Sequence, residues 1–181
     1  ALSFMYAATG NEEIGRRLDY VLSELKRCQD TAGDGYLCGV PDGRKMWKEI
    51  EQGNVRAATF GLNDRWVPLY NIHKIYAGLR DAYLVAHREE AKDMLVKLTD
   101  WMERTTANLT DAQMQDMLRS EHGGLNETFA DVAAITGDKR YLTLAHRFSH
   151  DIILNPLLKQ EDKLTGIHAN TQIPKVIGFK R

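Results

Sequence analysis

No apolar run in the 181 residues approaches the roughly 20 needed to cross a bilayer. The opening Ala1-Leu2-Ser3-Phe4 has no basic n-region of a secretion signal. Neither sign of charge is in excess: charged residues make up 27% of the chain and the formal net charge is -1. No polyanion-binding surface is expected, and neither nucleic acid nor membrane is an expected partner. Cysteine is scarce. Cys28 and Cys38 stand ten positions apart with no neighbouring pair, which is neither a zinc-ribbon spacing nor a disulfide framework. The compartment stays open, because the chain starts at Ala1 and a leader removed in processing would leave no trace. There is no phosphate-binding Gly-Lys-Ser sequence, no Gly-x-Ser-x-Gly elbow and no Cys-x-x-Cys.

What the chain does have is length for one domain and helical periodicity. Its hydrophobic fraction of 43% does not favour disorder. From Leu2 to Cys28 the repeating apolar face reads Phe4, Met5, Ala8, Leu18, Val21, Leu22 and Leu25, broken into two helices at Thr9-Gly10-Asn11. A second helical pair is predicted from about Tyr70 to Arg104, breaking near His87. One of its arms carries Ala77, Leu79, Ala82, Tyr83 and Val85, the other Met94, Leu95, Leu98, Trp101 and Met102. The third pair starts near Leu125, turns at Thr136-Gly137-Asp138 and returns through Tyr141, Leu144, Ala145 and Phe148 to about Leu154, where Pro156 helps end it. A short helix is predicted over Asp111 to Leu118, capped by Thr110.

The turns are weakly repetitive: Ala7-Ala8-Thr9-Gly10-Asn11 resembles Ala134-Ile135-Thr136-Gly137-Asp138. Their unequal spacing fits no short-repeat array and points to an all-α fold whose helical hairpins form part of an (α/α)6 toroid. Closing such a ring would take roughly 300 residues or more, so the expectation is a partial domain over 1–181, cut at both ends. Apolar edges left by such a cut predict self-association. The stretch Asp30 to Arg65 is glycine-rich and shows no sustained helical period, and a connection of that length is usually functional.

Three polar clusters sit at or just before the first arm of successive hairpins. They are Tyr70-Asn71-Ile72-His73-Lys74, Glu121-His122-Gly123-Gly124-Leu125-Asn126-Glu127, and His168-Ala169-Asn170-Thr171-Gln172-Ile173-Pro174-Lys175. His73 precedes His87 by 14 positions, and Gly123 precedes Gly137 by the same 14. Arms of equal length put their entrances at one height. Imidazole and amide groups supply both donors and acceptors, as a polyhydroxylated ligand requires. The candidate binding residues are therefore His73, His122, Asn126, Glu127, His168, Asn170 and Gln172. The structural alternative stays open, with asparagines as helix caps, Gly123-Gly124 as a turn and histidines satisfying buried backbone.

Other constellations are weaker. His146 and His150 are one helical turn apart, but no third ligand is near and they read as a partly exposed helix face. Asp30-Thr31-Ala32-Gly33-Asp34-Gly35-Tyr36 lacks the acidic spacing of a calcium loop. No metal site is expected within this chain.

The three clusters, together with Trp66-Val67-Pro68-Leu69-Tyr70-Asn71-Ile72-His73-Lys74 and Ala77-Gly78-Leu79-Arg80-Asp81-Ala82-Tyr83, resemble bacterial glycoside hydrolase family 127 and related beta-L-arabinofuranosidases. The resemblance covers essentially the whole chain, most securely Trp66 to Gly178. It implies an (α/α)6 catalytic barrel whose pocket takes a terminal arabinofuranose or similar sugar. In that family a cysteine nucleophile lies near zinc held by further cysteines and a glutamate, and another glutamate is the acid/base. Neither Cys28 nor Cys38 stands in a matching motif. No cofactor is therefore expected within this chain, zinc is expected only in a complete enzyme, and the chain alone is expected to be inactive. Two rival readings remain: a helical scaffold for protein interaction, and a non-hydrolytic sugar-binding relative.

Overall fold

The computed structural model describes residues 1–181 as ten helices and one small sheet: α1 (Leu2–Thr9), α2 (Glu12–Ala32), α3 (Gly43–Glu51), β1 (Ala57–Ala58), β2 (Gly61–Leu62), β3 (Arg65–Trp66), α4 (Pro68–Leu84), α5 (Glu89–Thr106), α6 (Asp111–Met117), α7 (Leu125–Thr136), α8 (Lys139–Arg147), α9 (Asp151–Leu158) and α10 (Ala169–Lys180). The class is all-α. Three helical hairpins carry it, α1/α2, α4/α5 and α7/α8, and each breaks where the sequence predicts. Gly10 and Gly137 close α1 and α7 in the left-handed region at φ 63° and 76°, and His87 takes the same conformation at φ 57° between α4 and α5. The helices that follow start on side-chain caps: Asn11 accepts from the Glu13 and Ile14 amides, and Asp138 from that of Arg140. Thr110 and Gln113 form a reciprocal capping box at α6, and Gln113 also donates to the Gly53 carbonyl at 3.0 Å.

The core is one continuous cluster centred on α4, α5 and α7, with α3 and α8 closing it. Tyr76, Phe129 and Phe148 stack edge to face through its middle, with centroids 5.1 and 4.9 Å apart. The end of α5 is finished by a side chain from α8: Arg147 donates to the Thr106 and Leu109 carbonyls at 2.9 and 2.6 Å. Between α2 and α4 the chain forms α3 and an antiparallel sheet, in which Gly61 pairs with Trp66.

Four expectations need correction. The apolar face of α1 is not Phe4, Met5 and Ala8: Phe4 and Met5 are exposed, while Leu2 and Tyr6 pack inward. In eight residues apolar nearly all round, periodicity selects no face. The bare surface of Gly15 selects it instead, since a Cβ there would lie 2.9 Å from the Tyr6 ring. The return arm of the third hairpin ends at Arg147, not near Leu154, and Pro156 lies inside the separate helix α9. The stretch read as lacking helix holds α3, anchored by buried Met46, Trp47 and Ile50. His150 is not on a partly exposed face with His146; it is the buried N-cap residue of α9.

Candidate functional site

The entrance of α4 is made by Val67 and Pro68. Val67 sits at φ 37°, a costly conformation for a β-branched residue, and the fixed ring of Pro68 opens the helix at its first position. One and a half turns on, His73 points inward and is 7% exposed. Gly123 and Gly124 lie directly against it. A Cβ on Gly123, which is left-handed at φ 58°, would collide with the His73 ring, and one on Gly124 would stand 3.4 Å from its Nε2 and 3.2 Å from Glu127 Oε2. The glycines are there for close approach as well as for the turn.

From Gly124 the chain enters α7, whose first turns carry Asn126, Glu127 and Asp131. Arg80 of α4 ties the two carboxylates together, with Nη1 at 3.0 Å from both Glu127 Oε1 and Asp131 Oδ2, while its far edge holds Asp81. Arg181 pairs with the other oxygen of Asp131. Asn126 is buried and donates to the Lys175 carbonyl at 2.9 Å, and Gly178 leaves room for it, since a Cβ there would collide with the amide. In this way α10 docks on α7 through polar groups.

Behind that seam lie His122, His150 and Lys175. Lys175 is 2% exposed and donates to His150 Nδ1 at 2.9 Å. The His122 and His150 rings meet edge to face at 5.7 Å. His122 Nδ1 stands 2.9 Å from the Ser120 carbonyl; a carbonyl only accepts, so that nitrogen carries the proton and Nε2 keeps its lone pair. Burial dominates the ionisation of the whole group. It holds His73 down at about 4, helped by Lys74 and Arg80, and His150 at about 4, helped by Lys175. It holds His122 well below the usual histidine range, with Lys175 again assisting. It brings Lys175 down to about 8 against the opposing pull of Glu121. At neutral pH the three imidazoles are uncharged, and His150 accepts from the Lys175 ammonium.

Three atoms here have no partner: His73 Nδ1, His122 Nε2 and Asn126 Oδ1. The last two are acceptors, so what this seam lacks is hydrogen-bond donors. Of the seven candidate residues, His73, His122, Asn126 and Glu127 meet at this seam. His168 and Asn170 do not; their side chains are exposed at the start of α10. Gln172 lies beside an apolar groove of about 550 Å³ formed with Leu164, Ile167, Ile173, Val176 and Ile177. Reading the sequence missed Lys175, His150, Arg80 and Asp131. Lys175 and Arg80 lay inside the quoted motifs, and the available signal was a single lysine among the apolar residues Ile173, Val176 and Ile177 of α10.

The residues present do not fit zinc. No three or more His, Cys, Asp or Glu side chains are arranged to hold an ion, and Lys175 already occupies His150 Nδ1. Cys28 is exposed on α2, and burial pushes the Cys38 thiol up, against what a nucleophilic thiolate requires. No helix is long and apolar enough to cross a membrane.

Among known families, the one described as Beta-L-arabinofuranosidase, GH127 catalytic domain, matches residues 1–181. The chain belongs to this glycoside hydrolase family. No curated protein matches it.

Proposed function

We propose that this chain supplies part of the sugar-binding mouth of a glycoside hydrolase that cleaves terminal L-arabinofuranosyl linkages, its hairpins forming an arc of an (α/α)6 toroid. Sugar contact is assigned to His73, His122, Asn126 and Glu127; His168 and Asn170, exposed at the start of α10, and Gln172, beside the apolar groove, stand apart from that seam. The observation that carries the reading is the seam itself: neutral imidazoles and an amide with unmet acceptors, an arginine-fixed carboxylate, and paired glycines that let backbone approach closely. No nucleophile or acid/base is assigned to any residue of this chain. With neither cysteine suited to attack and no zinc site, the chain alone binds but does not turn over. Hydrolysis with retention, through the family's cysteine, belongs to the complete enzyme.

Calorimetric titration of the chain with methyl beta-L-arabinofuranoside tests this. Binding is expected in the wild type and a loss of roughly tenfold or more in Glu127→Gln and Asn126→Leu, as for one or two hydrogen bonds to a charged or buried partner. No binding by the wild type, or equal binding by both variants, would sink it.

One observation favours the scaffold reading instead: the apolar groove along α10, with Ile173, Val176 and Ile177 all exposed. A second copy of the chain is the occupant to test, by sedimentation at increasing concentration. A strictly monomeric chain removes that reading.

A further inference from the structure

The loop that leaves the C-terminal end of α2 is clamped onto α5 by two side chains holding consecutive carbonyls. Gln29 is 2% exposed, and its Nε2 donates to the Gly35 carbonyl at 2.9 Å and to that of Met94 on α5 at 3.0 Å. Arg104 of α5 donates through Nη2 to the Asp34 carbonyl at 2.7 Å. Gly35, at φ 93°, lets the loop lie against α5, since a Cβ there would collide with the Lys97 carbonyl. With its amide nitrogen committed to two carbonyls, Gln29 keeps Oε1 as a buried acceptor without a partner, which a native fold rarely leaves unmet.

Between this loop and α5 lies a cleft of about 400 Å³ that Gln29 helps to line and that has no hydrophobic residue in its wall. It shares no residue with the seam of α7 and α10. Two of its three aspartates are already paired, Asp30 with Lys26 at 2.6 Å and Asp34 with Arg44 at 3.0 Å, and Asp100 accepts from the Tyr141 hydroxyl on one oxygen at 2.7 Å. Its two cations are used less. The other guanidinium nitrogens of Arg104 make no hydrogen bond, and Lys97 stands 3.9 Å from Asp30, beyond hydrogen-bond reach. What remains open is a cationic edge on α5 and two acceptors, Gln29 Oε1 and the second oxygen of Asp100. The carbonyl end of α2 adds partial negative charge beside Gln29; no basic residue stands in its last turn, and only Arg44, on the Ala32 carbonyl, answers it.

We propose that this cleft binds a small zwitterion, a free α-amino acid with a short polar side chain, its carboxylate on the open edge of Arg104 and its ammonium on Gln29 Oε1 and Asp100. An ammonium supplies donors to both acceptors. A carboxylate on a guanidinium makes a charge-assisted pairing, and Lys97 adds to the attraction. The clamped loop holds the cleft in shape before any ligand arrives. Other ligand classes fit less well. A bare cation meets Arg104 and Lys97, and no three His, Cys, Asp or Glu side chains are arranged to hold a metal ion. A dianion meets three aspartates, and an apolar molecule finds no apolar wall.

Calorimetric titration of the full chain with L-serine tests the assignment, with ethanolamine, which lacks the carboxylate, and L-lactate, which lacks the ammonium, as paired probes. L-Serine is expected to saturate one site, and each partial analogue to bind roughly tenfold more weakly or worse, the scale of one charge-assisted contact. Arg104→Gln is expected to weaken L-serine by roughly tenfold or more. Because Arg104 also holds the loop, Asp100→Asn is the second variant: it keeps the shape and an acceptor for Tyr141 while removing the charge. It is expected to lose roughly three- to tenfold in affinity with an unchanged melting temperature. Glu127→Gln, at the seam, is expected to leave L-serine binding as in the wild type. No saturation by L-serine up to about 10 mM, binding of either analogue as tight as that of L-serine, or wild-type affinity in both cleft variants would overturn the site. A loss in Glu127→Gln would overturn it as well, by moving the ligand to the seam.

Discussion

The seam between α4 and α5 and the seam between α7 and α10 are both buried, but they are built on opposite principles. In the first, Leu69, Ile72 and Leu79 are buried with Met94, Leu95 and Leu98. Its hydroxyls are fully used: Tyr76 donates to the Leu98 carbonyl and Thr99 to that of Leu95, each at 2.7 Å. In the second, Asn126, Lys175 and the nearby His122 and His150 replace aliphatic side chains, and acceptors are left unmet. A protein seeking only stability would fill both seams alike, because buried polar groups without partners cost stability. The contrast marks where the chain places buried hydrogen-bonding groups in place of aliphatic packing.

The comparison breaks most visibly in the aromatic core. Phe129 touches both sides of it, so Phe129→Ala should cost roughly 3–5 kcal/mol in urea unfolding. A loss under about 1 kcal/mol would mean that the closed region is not what holds the domain together.

Ionisation should be felt at the open seam alone. His73, His150 and His122 have folded values below their unfolded ones. Between about pH 6.5 and 4 the unfolded chain therefore binds protons the folded chain refuses, and stability should fall as pH drops through that window, on the order of 1–3 kcal/mol per histidine. Lys175 is likewise depressed, to about 8, so stability should rise with pH from about 8 to 10.5. Thermal melts across this range check both limbs, and a flat profile would remove the burial argument.

A pair of glycines sharpens the same point. Gly123 and Gly137 are both left-handed, but only Gly123 faces another side chain. Gly137→Ala should cost about 1 kcal/mol for backbone strain. Gly123→Ala should cost roughly 1–3 kcal/mol more for the collision with His73, and equal melting temperatures for the two variants would show that the glycine surface against His73 is dispensable. The smallest effect is expected for Lys175→Met. It removes a buried ammonium in exchange for apolar volume, so stability at pH 7 should stay within about 1 kcal/mol of wild type, while the rise above pH 8 disappears.

The hairpins could be read from the sequence because two of their turns carry Gly-Asn and Gly-Asp signals and the arms of the α4/α5 pair are long enough for a helical period to show. Where an element is short, that signal fails. The three strands have two residues each, too few for alternation, and α3 offers only Met46, Trp47 and Ile50 amid glycines and charges. The candidate site was half legible. His73, His122, Asn126 and Glu127 stood in recognisable clusters, but Lys175 looks like any solvated lysine until His150, 25 positions earlier, is brought beside it. Arg80 needed Glu127 and Asp131, 47 and 51 positions away. Charge networks closed by tertiary contact leave no local period to read.

The guanidinium of Arg147 on the last carbonyl of α5 has a consequence for how the domain breathes. The last turn of a helix ordinarily frays by itself, letting its amide hydrogens exchange with solvent in brief local openings. Here the Thr106 carbonyl is held by a residue 41 positions away, so the final turn of α5 opens only when α8 lifts from it. Deuterium uptake at Thr105 and Thr106 should therefore keep time with α8 rather than with the residues beside them in the chain, joining two separate stretches of sequence into one cooperative unit.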